Sequence, residues 1–126
     1  MKKFRSERGS VAVEFALILP LLIGLMLGIV EFGRAYNVQI SVTAAAREGA
    51  RVMSIQKNVA GAQAAVIAAS PSLNPQLKNA QIQISPATCT TGANTTVTVT
   101  YHLDFITGFL SRGLDLTGKS VMRCGG

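Results

Sequence analysis

The residues best suited to chemistry lie near the N-terminus, where a short basic segment meets a long apolar one. Gly9 ends the basic segment and Ser10 follows it. Because glycine has no side chain, the backbone at this point could extend into a protease cleft at a membrane surface. Cleavage between Gly9 and Ser10 would free an α-amine at the start of the apolar segment. These two residues therefore form a candidate processing site.

Glu14 is the second candidate, because it is the only ionisable residue between Val11 and Val30. Insertion scales put the cost of an acidic residue at about 2.5 to 3.5 kcal/mol at the centre of a membrane helix, and lower near the interface. The amine of Ser10 on an adjacent subunit would neutralise this carboxylate and fix the register between two helices. The alternative is a carboxylate that reaches water at the interface or stays protonated.

The element that must position these residues is the apolar run VAVEFALILPLLIGLMLGIV, residues 11–30. As a helix, rising about 1.5 Å per residue, it would cover the hydrocarbon thickness of a bilayer. Pro20 predicts a kink rather than an end, since neighbouring groups can satisfy the carbonyl that proline frees. A secretory signal peptide is the competing interpretation, but the run is long for one and no A-x-A cleavage site follows it.

The charges around this run predict its orientation. Most of the residues ahead of it are basic or polar, and the charged ones are Lys2, Lys3, Arg5, Glu7 and Arg8. Basic residues that flank a membrane helix stay in the cytoplasm, so everything after about residue 30 is expected outside. Past the run, Phe32, Arg34 and Tyr36 are expected to anchor the helix at the outer interface.

The helix is predicted to continue beyond the membrane, from about residue 10 to residue 54, because no proline occurs between Pro20 and Pro71. A stripe of small and β-branched residues recurs along it at spacings of four and three: Val38, Val42, Ala45, Gly49 and Val52. Such a stripe allows close approach of a helix or a sheet. Packing against the chain's own domain is the favoured interpretation, and contact with another subunit is the alternative.

The remainder of the chain predicts a small mixed domain. An alanine-rich stretch, Asn58–Ala69, is expected to be a short helix capped by Asn58. Strict alternation of polar and apolar residues predicts two antiparallel strands, Gln81–Ser85 and Thr95–Phe105, and a third with poorer alternation is expected near Thr117–Cys124. The predicted fold class is α+β: a long N-terminal transmembrane helix that continues into a small domain with a short antiparallel sheet. The predicted divisions are a leader (1–9), the helix (10–54) and the domain (55–126).

Cys89 and Cys124 both fall in the part that is expected outside, where thiols oxidise. A disulfide between them is the favoured interpretation, and two unpaired thiols are the alternative. The spacing of a C-x-x-C or Cys/His metal site is absent from the sequence.

Two motifs carry a resemblance to a known family. The segment from Arg8 to Phe15, RGSVAVEF, resembles the processing site of type IV pilins, in which a prepilin peptidase cuts after glycine and a glutamate is the fifth mature residue. Further along, AAREGAR (45–51) resembles the AREGAR signature of TadE-like pseudopilins, carried here by Arg47, Glu48, Gly49 and Arg51.

This resemblance implies roles for individual residues. Counted from Ser10, Glu14 is fifth, as in the pilins, while Phe15 stands where adherence-type pilins usually carry tyrosine. Pro20 resembles the helix-breaking proline of pilins, where local unwinding lets the helix bundle pack.

The implied function is a minor pilin or pseudopilin of a tight-adherence (Flp-type) pilus or a related secretion apparatus. The implied partners are a prepilin peptidase, other pilins or pseudopilins and an inner-membrane assembly platform, in a hetero-oligomer. The implied location is the inner membrane, with the domain periplasmic or extracellular. The alternative is a single-pass membrane protein with an uncleaved anchor and a periplasmic interaction domain.

Two other function classes are disfavoured. His102 shares a strand face with Asp104, but no nucleophile or metal-ligand motif accompanies the pair, so a solvated edge is favoured over an enzyme site, and no cofactor is expected. The net charge of +6 suggests a nucleic-acid partner, but no dense basic stripe interleaved with aromatic residues occurs outside the leader. We therefore expect neither an enzyme nor a nucleic-acid binder.

Overall fold

The structure is a computed structural model that describes residues 5–108 and 112–125. Lys2 and Lys3 of the predicted leader lie outside the described residues. Within them the chain forms two helices and three strands, with a single 3₁₀ turn (Asn79–Gln81) ahead of the first strand. The α+β prediction is confirmed.

The first helix, α1, spans Arg5–Gln56 and continues through Pro20. It begins about five residues earlier than the sequence predicted. No proline precedes Ser10, and Glu7 in the first turn interacts favourably with the positive end of the helix dipole. The predicted leader and the predicted membrane segment therefore share one helix where the chain is described.

The chain divides into two compact units, one up to Gly33 and the other from Arg34 onward. The first unit is helical, and its large apolar side chains are exposed from Val11 to Val30. Among the described residues, α1 is the one helix that is long and apolar enough to cross a membrane. It is therefore a candidate membrane anchor.

The second unit contains the rest of α1, a short helix and the sheet. Helix α2 spans Val59–Ala68, and the Asn58 side chain accepts a hydrogen bond from the Ala60 amide at 3.0 Å, as predicted for its cap. The strands are β1 (Ile82–Ser85), β2 (Asn94–Leu103) and β3 (Leu114–Arg123). They form an antiparallel sheet in the order β1-β2-β3.

The predicted stripe on α1 faces the core of this second unit. Val42, Ala45, Gly49 and Val52 are buried and Val38 is half-buried. A Cβ at Gly49 would collide with the Val66 side chain of α2 and come within 3.3 Å of Val97 on β2. The interpretation that the stripe packs against the chain's own domain is thus confirmed.

The core side of the sheet comes mainly from β2. Val97, Val99, Tyr101 and Leu103 are buried at alternate positions, as the sequence predicted. The predicted strand included Phe105, but β2 ends at Leu103 and Phe105 is half-buried in the connection that follows. Beside β2, Gly118 of β3 lets the strand approach the α1 backbone at Val42.

A disulfide joins Cys89 to Cys124, with the two Cα atoms 5.6 Å apart. Both cysteines are buried against Met53 and Ala62. The Gly125 amide donates a hydrogen bond to the Ser54 carbonyl at 3.0 Å. The residues that follow β3 are therefore held to the β1–β2 connection by the disulfide and to the last turn of α1 by a main-chain hydrogen bond.

Candidate processing and assembly site

The predicted cleavage point lies within α1. Gly9 and Ser10 are both helical and exposed. A Cβ at Gly9 would meet no atom within 4 Å, so packing does not require a glycine here, although glycine in a helix costs about 1 kcal/mol relative to alanine. A protease that binds an extended chain would first have to unwind the helix around Gly9, which lies in its second turn, where helices fray readily.

Glu14 is exposed and surrounded by exposed apolar side chains, including Val11, Val13 and Phe15. No hydrogen bond or ion pair reaches its carboxylate from any residue that the structure describes. Ser10 precedes it by four positions, which places the two side chains on the same helix face, one turn apart. After cleavage, the Ser10 amine would thus be near Glu14 of its own chain as well as available to a neighbour.

Phe15 and Pro20 lie on the same exposed stretch of α1. Phe15 is 61% exposed. Pro20 has no amide hydrogen, so the carbonyl of Ala16, one turn earlier, loses its usual intrahelical donor. That carbonyl can be satisfied by a neighbouring group or by local unwinding.

The large apolar side chains of the first unit are exposed from Val11 to Phe32. Its most exposed large side chains are Val11, Phe15, Leu17, Leu21, Leu25, Met26, Ile29 and Phe32. A continuous apolar surface of this length is stable in contact with lipid or with other apolar helices, and costly in water. The first unit can therefore insert into a bilayer or join a helix bundle.

The second predicted motif, residues 45–51, divides into a buried part and an exposed part. Gly49 is buried between α2 and β2. On the exposed side, Arg51 donates two hydrogen bonds to Glu48, from Nε at 3.0 Å and from Nη2 at 2.6 Å. Those hydrogen bonds, together with the opposite charge, lower the pKa of Glu48 and raise the pKa of Arg51. Arg47 is exposed.

The predicted site residues are thus not gathered at one point. The processing and assembly residues belong to the first unit and the AREGAR residues to the second. Gly118, which the sequence interpretation did not single out, is as constrained as Gly49, because a Cβ there would lie 2.5 Å from the Val42 carbonyl oxygen. Its only sequence signal was a glycine inside a run of strand-forming residues.

His102 has a partner that the sequence interpretation missed. Its Nδ1 lies 2.5 Å from Oδ1 of Asp115, the residue directly opposite on β3, while Nε2 is 3.3 Å from Asp104. The hydrogen bond to Asp115, followed by the charges of both carboxylates, raises the pKa of His102. All three side chains are more than half exposed. No cluster of three or more His, Cys, Asp or Glu side chains suited to a metal occurs within residues 5–108 and 112–125.

Comparison with known proteins identifies one family. The model of the TadE-like protein family matches residues 9–51. The resemblance noted in the sequence is confirmed over these residues, about a third of the chain, which begin at Gly9 and end at the second arginine of AREGAR. No curated protein and no solved structure matches the chain.

Proposed function

We propose that this chain, TadE-like from residue 9 to residue 51, is a minor pilin or pseudopilin subunit that takes part in assembling a tight-adherence (Flp-type) pilus or a related secretion apparatus. One observation carries the proposal. The TadE-like match begins at Gly9 and takes in Glu14, a carboxylate among exposed apolar side chains of the described part of α1. A fibre held together by such helices needs both a processing site at Gly9 and a carboxylate at Glu14 that can pair with the new amine.

The proposed sequence of events begins with insertion of α1 in the inner membrane, with the basic leader in the cytoplasm and the second unit in the periplasm. A prepilin peptidase then hydrolyses the peptide bond between Gly9 and Ser10, which frees the Ser10 amine and leaves a carboxylate on Gly9. The amine is protonated at neutral pH, since α-amines have pKa values near 7.7 to 8.0. It neutralises Glu14 of an adjacent subunit as the helices pack.

Glu14 has two possible partners in this scheme, the Ser10 amine of its own chain and that of a neighbour. The i, i+4 spacing favours the first contact in a lone subunit. Packing of apolar helices favours the second, because it also buries side chains such as Leu17 and Leu21. The contact within its own chain would let the isolated subunit stay in the bilayer without an unpaired charge, and exchange to the amine of a neighbour would accompany assembly.

The proposed partners are the prepilin peptidase, other pilins or pseudopilins and the inner-membrane assembly platform. The proposed assembly is a hetero-oligomer, and the second unit is periplasmic, or extracellular after assembly. The proposal assigns this chain no catalytic reaction, cofactor or nucleic-acid partner. The exposed His102 pair is accounted for as a cross-strand contact that stabilises the sheet.

The test is the mass of the mature N-terminus, measured in cells with and without the cognate prepilin peptidase. We expect the chain to begin at Ser10 only when the peptidase is present. A Gly9→Val variant should keep its leader. The matched control is Gly33→Val, at another glycine of the same helix where an added Cβ would meet no atom within 4 Å, and this variant should be processed normally. A chain that starts at Met1 in both cell types overturns the proposal.

A second candidate is a single-pass membrane protein whose anchor is never cleaved. The observation that favours it is that α1 runs without interruption from Arg5 through Gly9, so the bond to be cut is held in a helix. This candidate predicts an intact leader in both cell types and no change in membrane insertion when Gly9 is replaced. The same mass measurement thus separates the two functions.

A further inference from the structure

Contacts within the second unit place each end of β3 along α1. The Arg34 guanidinium donates a hydrogen bond from Nη1 to the Asp104 carbonyl at 2.8 Å. Further along α1, the side-chain Nε2 of Gln39 donates a hydrogen bond to the Thr117 carbonyl at 3.0 Å. Near the end of α1, the main-chain carbonyl of Ser54 accepts one from the main-chain amide of Gly125 at 3.0 Å. The connection between β2 and β3 therefore begins beside Arg34, whereas the disulfide end of β3 lies some twenty residues further along the helix.

Arg34 follows the apolar run by only four residues, counted from Val30. A fully extended chain reaches at most about 3.6 Å per residue, so Arg34 lies within about 14 Å of the end of the run in any backbone conformation. If the run spans a bilayer, the start of the β2–β3 connection is held close to the membrane surface. The disulfide end of the unit carries no such restriction.

The described part of this connection, residues 104–108 and 112–113, carries side chains suited to that position. Ile106 is 68% exposed and Phe105, next to it, is half-buried. Arg112 is exposed, and Gly108 has a positive φ of 58°, which suits a tight turn. On α1 itself, Tyr36 is 71% exposed. One exposed isoleucine alone needs no explanation, but here it lies two residues after Asp104, whose carbonyl oxygen accepts the hydrogen bond from Arg34 on α1.

We propose that Ile106, in the described part of the β2–β3 connection, inserts into the outer headgroup region of the bilayer, with Arg34 and Arg112 near the lipid phosphates. The proposal rests on the membrane-anchoring part of the proposed function. Apolar side chains flanked by cations and by an interfacial tyrosine are the combination that binds at the headgroup boundary. The contact orients the second unit on the membrane until the subunit leaves the bilayer for an assembly.

Charge at this end of the unit is mixed. The carboxylates of Asp104 and Asp115 also lie here, and both contact the His102 imidazole. They weaken attraction to anionic lipid, so the contact depends on insertion of Ile106 more than on net charge. Binding should therefore persist on vesicles of zwitterionic lipid.

Fluorescence quenching by lipid tests the proposal, because the chain contains no tryptophan. The full-length Ile106→Trp variant is reconstituted in phosphatidylcholine vesicles with and without brominated acyl chains. We expect a blue-shifted emission and a clear loss of intensity with the brominated lipid. The matched control is Val121→Trp, an exposed aliphatic residue near the disulfide end of β3, and its emission should be unaffected.

A third variant separates failure of this proposal from failure of the anchor. Leu21→Trp places the fluorophore on the exposed surface of the predicted span, where strong quenching is expected. If Leu21→Trp is quenched but Ile106→Trp is quenched no more than Val121→Trp, the lipid contact is overturned and the membrane anchor is not. Absence of quenching in Leu21→Trp overturns the anchor and this proposal together. A blue shift of Ile106→Trp without lipid quenching assigns the contact to protein and also overturns the proposal.

Discussion

Gly118 of β3 lies against the main-chain carbonyl of Val42 on α1, so that a Cβ at position 118 would come within 2.5 Å of the carbonyl oxygen and 2.7 Å of its carbon. The atoms in the way belong to a helix backbone, which cannot rotate aside as a side chain can. The approach of sheet to helix at this point depends on the absence of a side chain from a single residue.

A Gly118→Ala substitution should therefore lower the free energy of unfolding by roughly 1 to 3 kcal/mol, the usual cost of overpacking a core. Denaturant unfolding of the full chain in detergent micelles would measure the loss. The control is Gly33→Ala, which introduces a Cβ with no atom within 4 Å and should cause no loss. Equal stability of the Gly118→Ala variant and the unmodified chain would contradict the packing described above.

Replacing Glu14 by alanine should leave cleavage and membrane insertion intact and impair assembly. The variant lacks the carboxylate that the Ser10 amine would neutralise, while the apolar surface of the helix stays the same. Recovery of assembled fibres, measured next to the mature N-terminal mass, distinguishes assembly from processing. Glu48→Ala is the matched control, since it removes a half-buried glutamate of the second unit whose described partner is Arg51. Normal fibre yield from the Glu14 variant would rule out the pairing role.

Loss of the disulfide should destabilise the second unit by between about 3 and 4.7 kcal/mol in the chain-entropy model, given the separation of 35 residues between Cys89 and Cys124. Serine at both positions is the variant to make, because a single change leaves a free thiol. Unfolding curves of the double variant should coincide with those of the reduced unmodified chain. A double variant as stable as the oxidised chain would show that the crosslink contributes nothing.

His102 should make stability depend on pH in a defined direction. Its pKa is raised in the folded chain, chiefly by the hydrogen bond to Asp115. The stabilisation is then fully present below the ordinary value of 6.5 and is lost as the pH rises through the higher folded pKa. An NMR titration of the imidazole between about pH 5 and 8 measures the folded pKa of His102. The Asp115→Asn substitution should lower the pKa of His102 more than Asp104→Asn does. The reverse order would show that Asp104, and not Asp115, is the dominant partner.

The sequence was most informative where a pattern depends on one element alone. The alternation in β2 identified Val97 and Tyr101 as core residues, and the four-and-three spacing identified Val42 as facing the core, because each pattern reflects a single strand or helix. Contacts between elements were harder to predict. Asp115 was missed as a partner of His102 because the register of β2 against β3 is set by packing across the sheet.

Two further differences have similar causes. β3 shows weak alternation because Gly118 occupies a core-facing position where the α1 backbone replaces a side chain. The early start of α1 could not be read from the apolar run, since the residues ahead of it are polar but still form a helix. For the site itself, the sequence supplied the candidate residues, and the structure added that Gly9 is helical and that Glu14 has no partner among the described residues.

The buried apolar residues of the two core clusters all lie at or beyond Ala35. Among the described residues, then, the hydrophobic core of the second unit is complete without any contribution from the apolar run. Folding of that unit and transfer of the run from lipid into a fibre would accordingly be separate equilibria. Under the proposed function, the work of extracting a subunit from the bilayer would have to come from contacts between helices, because a domain that is already folded has no folding free energy left to contribute.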